Sequence, residues 1–193
     1  MNLKASSLIS VTLFFVLVSS GTYAQKQMFV GLNVNNNIYP DQIELNTLNI
    51  GATFETKITK HSGVETGLFY RADRTTDVIS YSDGSGAHSN SLTIARRYLS
   101  VPVLYKYYSK MINLSAGPAF DFFAGWKQKQ DDFPNLIQSY TVNPKVKVGF
   151  LIKASKIIPV NEKFIVEPEI RFGSVQTVEQ ANVGIGIAGK YRL

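Results

Sequence analysis

Charged residues fall on only one face of every strand-like stretch in this chain. The eight most strand-like stretches are 28–35, 48–58, 64–71, 98–107, 112–123, 143–154, 164–172 and 182–193. Alternate residues of a strand point to opposite faces, so each stretch divides into two sets. One set carries no charge; the other holds all fourteen charged residues: Glu55, Lys57, Glu65, Arg71, Lys106, Asp121, Lys145, Lys147, Lys153, Glu167, Glu169, Arg171, Lys190 and Arg192. A charge-free face repeated in eight strands is what a barrel surrounded by lipid requires.

The first residues have the form of a secretory signal peptide. Lys4 supplies a positive charge, residues 8–18 form an apolar run, and Thr22-Tyr23-Ala24 supplies a small-residue cleavage site. The run is shorter than the ~18 residues of a membrane helix. We predict a signal peptide over residues 1–24 and one mature domain over residues 25–193. With no cysteine in the chain, a cysteine-anchored lipoprotein and a disulfide scaffold are excluded.

The lengths of the stretches and of their connections favour strands that cross a membrane. About ten residues at ~3.3 Å each, tilted near ~40°, rise roughly 25 Å, the height of the apolar band of a barrel. Long and short connections alternate over 36–47, 59–63, 72–97, 108–111 and 124–142, whereas 155–163 and 173–181 are equally long. We therefore predict an all-β, eight-stranded antiparallel up-and-down transmembrane β-barrel, with both termini and the short turns on the periplasmic side.

Aromatic residues fall near the ends of the predicted strands. Such rings suit the two membrane interfaces because one end is apolar and the other forms hydrogen bonds. The predicted lower girdle contains Tyr105, Tyr107 and Tyr191, and the predicted upper girdle contains Tyr70, Phe122, Trp126 and Phe172.

Four prolines lie inside the predicted strands, where each removes a hydrogen-bond donor from the ladder. They are Pro102, Pro118, Pro144 and Pro168. We expect bulges or a locally broken ladder at some of them.

Three segments resemble a known family. Residues 98–108 (YLSVPVLYKYY) look like the "YLxIPLLxKY" strand of the outer-membrane β-barrel family of Bacteroidota, which includes PorT-like and small OmpX- and OmpA-like barrels. Residues 114–119 (LSAGPA) are similar to the next strand of that family, and residues 164–172 (FIVEPEIRF) to its penultimate strand. The resemblance implies an outer-membrane barrel in which these prolines recur. One departure is the C-terminus, which ends in Leu193 where many such chains end in Phe.

Motifs of enzymes are present but lack their context. Gly184, Gly186 and Gly189 match a dinucleotide-binding pattern, yet the chain ends four residues later, without the helix that would hold the phosphate. We expect these glycines to relieve crowding on the interior face of a narrow barrel. Glu167 and Glu169 point the same way, as an acid/base pair would, but the neighbouring Arg171 and the interior lysines favour a salt-bridged lumen.

The second predicted loop contains the residue types of a catalytic triad. His88 lies among Asp83, Ser85 and Ser89, in a run rich in Gly and Ser. That composition predicts a mobile loop, whereas a triad must be held rigidly. No histidine–carboxylate spacing indicates a metal site. We predict no catalytic residue, metal or cofactor.

The third predicted loop, 124–142, is the best candidate for a contact surface. Its apolar residues are Trp126, Phe133, Leu136, Ile137 and Tyr140. Exposed apolar clusters often mark binding sites. The alternative interpretation is that these side chains fold back over the mouth of the barrel or join the upper girdle.

The charge balance adds little about partners. Without the segment that contains Lys4, nineteen basic residues stand against fourteen acidic ones, a net charge of +5. Nine of the fourteen charged residues on the interior face are basic, which places much of the surplus in the predicted lumen. Export excludes nucleic acid as a partner. We expect a monomer whose partners are outer-membrane lipid, the barrel-insertion machinery and an unidentified surface or secretion partner.

The sequence thus predicts a non-enzymatic protein of the cell outer membrane with a plugged lumen and a structural or surface-interaction role. An accessory part in protein secretion and a narrow channel are the alternatives within the barrel class. A soluble periplasmic ligand-binding barrel would reverse the faces, with the apolar set inside.

Overall fold

Eight antiparallel strands close into a barrel in the computed structural model. The structure describes residues 27–38, 47–83, 86–128, 143–175 and 181–193, with the backbone alone at 47, 73–83, 86–92, 128 and 175. The predicted signal peptide therefore lies outside the described residues. The strands are β1 (Gln27–Ile38), β2 (Thr47–Lys57), β3 (Ser62–Asp83), β4 (Gly86–Tyr107), β5 (Asn113–Gln128), β6 (Val146–Ser155), β7 (Ile158–Pro159), β8 (Phe164–Val175) and β9 (Ala181–Arg192).

Sequential strands are neighbours around the barrel, and β6 pairs with β8 to close it. The two-residue β7 pairs with the start of β8 and takes no place of its own in the ring. The predicted eight-stranded fold is confirmed. Within the described residues we find no helix with the length and apolarity needed to cross a membrane.

The stagger of the ladder fixes the width of the barrel. The row of paired residues that starts at Val146 runs through Phe122, Leu99, Tyr70, Ile50, Val34, Ile187 and Pro168. From Pro168 it reaches Lys156, whose backbone N–H donates to the Pro168 carbonyl, so one circuit advances ten residues along the first strand. A barrel of about eight strands with such a shear tilts by roughly 40° and has an interior that side chains can fill.

Alternation along the strands divides apolar from polar surface, as the sequence indicates. The outward face is apolar and open, with Leu32, Ile170 and Ile185 more than half exposed. The inward face buries asparagine and charged side chains with a few large rings, among them Phe29, Phe69 and Tyr98. A polar core inside an apolar exterior is the arrangement of a transmembrane barrel, the reverse of a soluble ligand-binding one.

The prolines disturb the ladder at two places without changing which face a residue occupies. The β3–β4 pairing omits Val101 and Pro102 opposite Gly67 and Leu68, and the Thr66 hydroxyl donates to the Pro102 carbonyl at 2.8 Å. The β4–β5 pairing likewise omits Gly117 and Pro118. The expectation of a broken ladder at some prolines is therefore confirmed.

The other two prolines are accommodated without a break. Pro168 keeps its register with Ile187, and Pro144 follows a cis peptide bond before β6 begins. A separate shift in register lies between Arg97 and Tyr98, where Ala124 is bulged beside Gly125. The φ of Gly125 is 134°, a conformation that side-chain-bearing residues rarely adopt.

The prediction of a loop over residues 72–97 is wrong. Residues 72–83 and 86–97 continue β3 and β4 as paired strands, in which Tyr81 lies opposite His88 and Asp83 lies opposite Gly86. Residues 77–83 and 86–92 pair only with each other in the described ladder. Each arm of this two-stranded ribbon is about 25 Å long at ~3.3 Å per residue. It extends from the end of the barrel opposite to the short turns.

Candidate functional site

Two lysines and two glutamates form the centre of an ion network inside the barrel. Lys106 Nζ lies 2.8 Å from Glu55 Oε2 and 2.5 Å from Glu167 Oε1. Lys190 Nζ lies 2.5 Å from Glu55 Oε2 and 2.6 Å from Glu167 Oε2. Each amine also approaches Glu65 Oε2, at 3.4 Å from Lys106 and 3.6 Å from Lys190. All of these side chains are inaccessible to solvent or nearly so.

A third lysine extends the network towards β6 and β8. Lys153 Nζ pairs with Glu65 Oε1 and lies 2.8 Å from Glu169 Oε2. Arg171 Nε lies 3.5 Å from the other oxygen of Glu169. The strand positions explain this meeting, because Lys153 pairs with Arg171 in register and β6 is the closing neighbour of β8.

The network is electrically balanced. Its four cations are Lys106, Lys153, Arg171 and Lys190, and its four anions are Glu55, Glu65, Glu167 and Glu169. Burying an unpaired charge costs several kcal/mol, and a compensating partner at hydrogen-bond distance removes most of that cost. Equal numbers of both signs therefore allow a charged interior to remain dry.

Neutral side chains complete the network. The Tyr108 hydroxyl donates to Glu55 Oε1 at 2.7 Å, and the Ser155 hydroxyl donates to Glu167 Oε1 at 2.6 Å. Tyr108 follows β4, and burial together with the negative charge of Glu55 raises the pKa of its phenol. The sequence interpretation missed both residues, although Tyr108 continues the inward face of β4 two positions after Lys106.

A chain of asparagines leads from the network along β1 and β2. The amide of Asn33 donates to Glu169 Oε1 at 3.0 Å, Asn35 donates to Asn33 Oδ1 at 2.9 Å, and Asn49 donates to Asn35 Oδ1 at 3.0 Å. The sequence interpretation missed these residues too. Their signal is the alternate spacing of Asn33, Asn35 and Asn37 on the inward face of β1.

A second ion pair lies nearer the loop end. Arg71 Nη2 lies 3.2 Å from Asp121 Oδ2, and the Tyr98 ring lies beneath both Arg71 and Lys147 at 5.2 Å and 5.5 Å. Arg71, Asp121 and Arg171 help to line a cavity of about 50 Å³. That volume accommodates only one or two water molecules.

Three of the fourteen charged residues that were predicted to face the interior are not buried inside the barrel. Lys57 is half-buried over the Tyr108 ring at 4.8 Å, and Lys145 and Arg192 are exposed. All three are basic and lie at the ends of strands. The eleven buried members are six basic and five acidic, so the buried set has a surplus of one positive charge, where the sequence predicts four. A charge near a strand end reaches water without having to enter the lumen.

The interior carboxylates do not form a free metal site. Glu55, Glu65 and Glu167 can place oxygens within 4.8 Å of one another. The amines of Lys106 and Lys190 already lie among these oxygens and supply the positive charge that an ion would bring.

The residues that suggested an enzyme occupy unrelated places. Glu167 and Glu169 are both held in ion pairs within the network. His88 lies opposite Tyr81 in the ribbon, and its side chain is outside the described part of the structure, as are those of Asp83, Ser85 and Ser89.

The glycine pattern divides between the two faces of β9. A Cβ on Gly184 would lie 2.4 Å from Asn37 Oδ1, and one on Gly186 would lie 2.8 Å from Asn35 Cβ, so interior crowding explains both. Gly189 faces outward with open space around it, and the expectation of interior crowding is wrong there.

Six of the seven predicted girdle residues lie on the outer surface: Tyr70, Tyr105, Tyr107, Phe122 and Phe172 are exposed, and Tyr191 is half-buried. Trp126 is half-buried and, after the bulge at Ala124, pairs with Arg96, which is on the same inward face as Tyr98. Tyr191 packs edge-on against Phe164, with ring centroids 5.0 Å apart. The two girdles stay a prediction. Residues 124–128 of the predicted contact loop continue β5. Of its apolar residues the structure describes only Trp126, and Phe133, Leu136, Ile137 and Tyr140 lie outside the described residues.

Comparison with known proteins identifies the fold. No protein-family model matches the chain, and no curated protein matches it. The outer membrane protein OprG from Pseudomonas aeruginosa is 12% identical with a TM-score of 0.55, covering 86% of this chain and 96% of that one. A major outer membrane protein from Thermus thermophilus is 10% identical with a TM-score of 0.51, covering 88% of this chain and all of that one.

At sequence identities of 10% and 12%, these similarities show that the folds are alike and nothing further. The chain has the fold of the eight-stranded outer-membrane β-barrel proteins. The narrower resemblance to PorT-like barrels of Bacteroidota stays a prediction.

Proposed function

We propose that this protein is an integral outer-membrane barrel with a closed interior, which acts through contacts at the cell surface and catalyses no reaction. The observation that carries the proposal is the ion network across the lumen. Because Lys106 and Lys190 join opposite walls through shared carboxylates, solutes would have to displace buried ion pairs to pass. A barrel that transports nothing acts through the parts that leave the membrane.

The ribbon of residues 77–83 and 86–92 is the part best placed for such contacts. It carries Asp77 and Asp83 and no lysine or arginine, and it is rich in serine. Two outer edges of backbone donors and acceptors have no partner strand in the described chain. Such edges accept an extended segment of another protein by strand addition.

The apolar exterior and the direction of the strands support an outer-membrane placement with the ribbon at the cell surface. Lipid replaces water around the outward face. The short turns lie at the end of the barrel where β1 begins, at Gln27, and β9 ends, at Arg192. With those turns in the periplasm, the ribbon extends from the cell. The carboxylates Glu167 and Glu169 are held in ion pairs, which supports a role without acid/base catalysis.

Photocrosslinking on intact cells tests the surface role. A photoreactive amino acid at Ser80 in the ribbon is expected to give crosslinked partners, whereas the same group at His61 in the β2–β3 turn is expected to give none of them. The variant in which a two-residue Asn-Gly turn replaces residues 76–93 should no longer copurify with those partners, while the barrel still folds. Crosslinks from His61 alone would contradict the proposal. Retained copurification together with loss of secretion of other proteins would favour the accessory secretion role.

A further inference from the structure

A groove interrupts the outer surface where β6 ends beside β8 and β9. It has a volume of about 450 Å³ and is lined mainly by Ile112, Ala154, Pro168, Ile170 and Ile185. The groove arises from differences in the size of neighbouring outward side chains. Ala154 and Pro168 are small outward residues, and they lie between the larger side chains of Ile112, Ile170 and Ile185, which are 52%, 61% and 67% exposed.

One end of this groove carries positive charge. Lys156 follows β6 directly and lines the groove, and its Nζ donates to the backbone carbonyl of Lys110 at 3.1 Å. Both lysines are exposed. The apolar channel therefore ends at a pair of basic residues, in the turns at the border between the lipid-facing strands and water.

The same border is basic around the barrel. Among the described residues, the exposed charged side chains at the short-turn end are Lys60, Lys110, Lys156, Glu162, Lys163 and Arg192. Five are positive and one is negative. Next to them are exposed apolar side chains, including Met111 and Ile158. Each lysine or arginine close to an anionic lipid surface strengthens binding by about fivefold.

We propose that the groove binds one anionic phospholipid, with an acyl chain along Ala154 and Pro168 and the phosphate between Lys110 and Lys156. The apolar groove fits a hydrocarbon chain because it exposes carbon surface, and the basic pair fits the phosphate because its charge is opposite. A zwitterionic lipid offers the same chain with a cancelling positive charge. The site depends on the transmembrane barrel alone and not on the surface role of the ribbon.

Native mass spectrometry of the folded barrel in detergent tests this site with phosphatidylglycerol and phosphatidylcholine of identical acyl chains. We expect one phosphatidylglycerol to remain bound, with an affinity roughly 30-fold above that of phosphatidylcholine, because two lysines contribute. The double variant Lys110→Gln/Lys156→Gln should lower phosphatidylglycerol to the level of phosphatidylcholine. Ala154→Phe should fill the groove and weaken both lipids.

Matched variants separate a site from general surface adsorption. Lys60→Gln removes an exposed lysine from the β2–β3 turn, and Ala52→Phe adds a ring to the lipid-facing surface of β2, across the barrel from β6. Neither should change lipid retention. Ala154→Leu serves as the groove variant if Ala154→Phe does not fold, as judged by heat-dependent migration in gels. Equal binding of the two lipids, equal loss in Lys60→Gln, or full retention in the folded groove variant would each overturn the proposal.

Discussion

Lys106 on β4 and Lys190 on β9 stand on opposite walls of the barrel, yet their amines meet at the same two carboxylates, Glu55 and Glu167. Three strands lie between β4 and β9 in either direction around the ring. The ion network therefore connects two walls that share no backbone hydrogen bonds, and it fixes the distance between them. Removal of one member leaves its partners charged and buried.

Loss of a single residue of the ion network should destabilise the barrel strongly. Lys106→Met is expected to lower the free energy of unfolding by about 3–5 kcal/mol, because Glu55 and Glu167 would each lose a partner in a dry interior. Urea unfolding in lipid vesicles, followed by the fluorescence of Trp126, measures the change. The exposed Lys60→Met should alter stability by no more than ~0.5 kcal/mol. Similar losses in both variants would contradict a special role for the network.

A charge on the outward face should be costly where a charge on the inward face is not. Val148→Arg or Ile185→Lys should cost about 2–4 kcal/mol of unfolding free energy near the middle of the bilayer, because the charge would face hydrocarbon. The inward neighbour of Val148 supplies the control, since Lys147→Arg keeps the charge in the same interior. Gly186 is unsuitable as a control, because a Cβ there would lie 2.8 Å from Asn35 Cβ. Equal losses on both faces would refute the face assignment.

The faces of the strands were predictable because they depend only on local alternation. Leu32 and Ile185 follow the apolar period, and Glu55 and Lys190 follow the polar one, whatever the neighbouring strands are. The pairing of particular charges was not predictable, since it depends on the ten-residue stagger of the whole ring. The paired strands of the ribbon were not predicted, because residues 72–97 are polar on both faces and carry no amphipathic alternation.

Limited proteolysis of whole cells tests the orientation. Trypsin is expected to cleave after Lys145, which is exposed beside the end that carries the ribbon, and to spare Lys60 and Lys110 in the short turns. Disrupting the outer membrane should make the short turns accessible. Cleavage at Lys60 and Lys110 in intact cells, with Lys145 protected, would show that the barrel is inverted.

The phenol of Tyr108 should titrate above the usual value of 10.0 for tyrosine, because burial and Glu55 raise its pKa. A pKa that is higher in the folded protein than in the unfolded chain means that the stabilising contribution is complete below pH 10 and is lost as the pH rises further. The difference in absorbance at 295 nm between the native protein and Tyr108→Phe reports this ionisation. A Tyr108 signal that titrates at or below 10 would show that the phenol is not held by the network.

The closed interior predicts that the purified protein forms no stable porin-like conductance in planar bilayers. Eight strands leave room only for side chains, and bulky Phe29, Phe69 and Leu104 add to the ion network in filling it. The double variant Glu55→Gln/Glu167→Gln removes the carboxylates shared by Lys106 and Lys190, and we expect it to give brief, small current steps as the two walls separate. Long-lived, large steps from the unaltered protein would refute the closed lumen and would favour the channel alternative over the surface role.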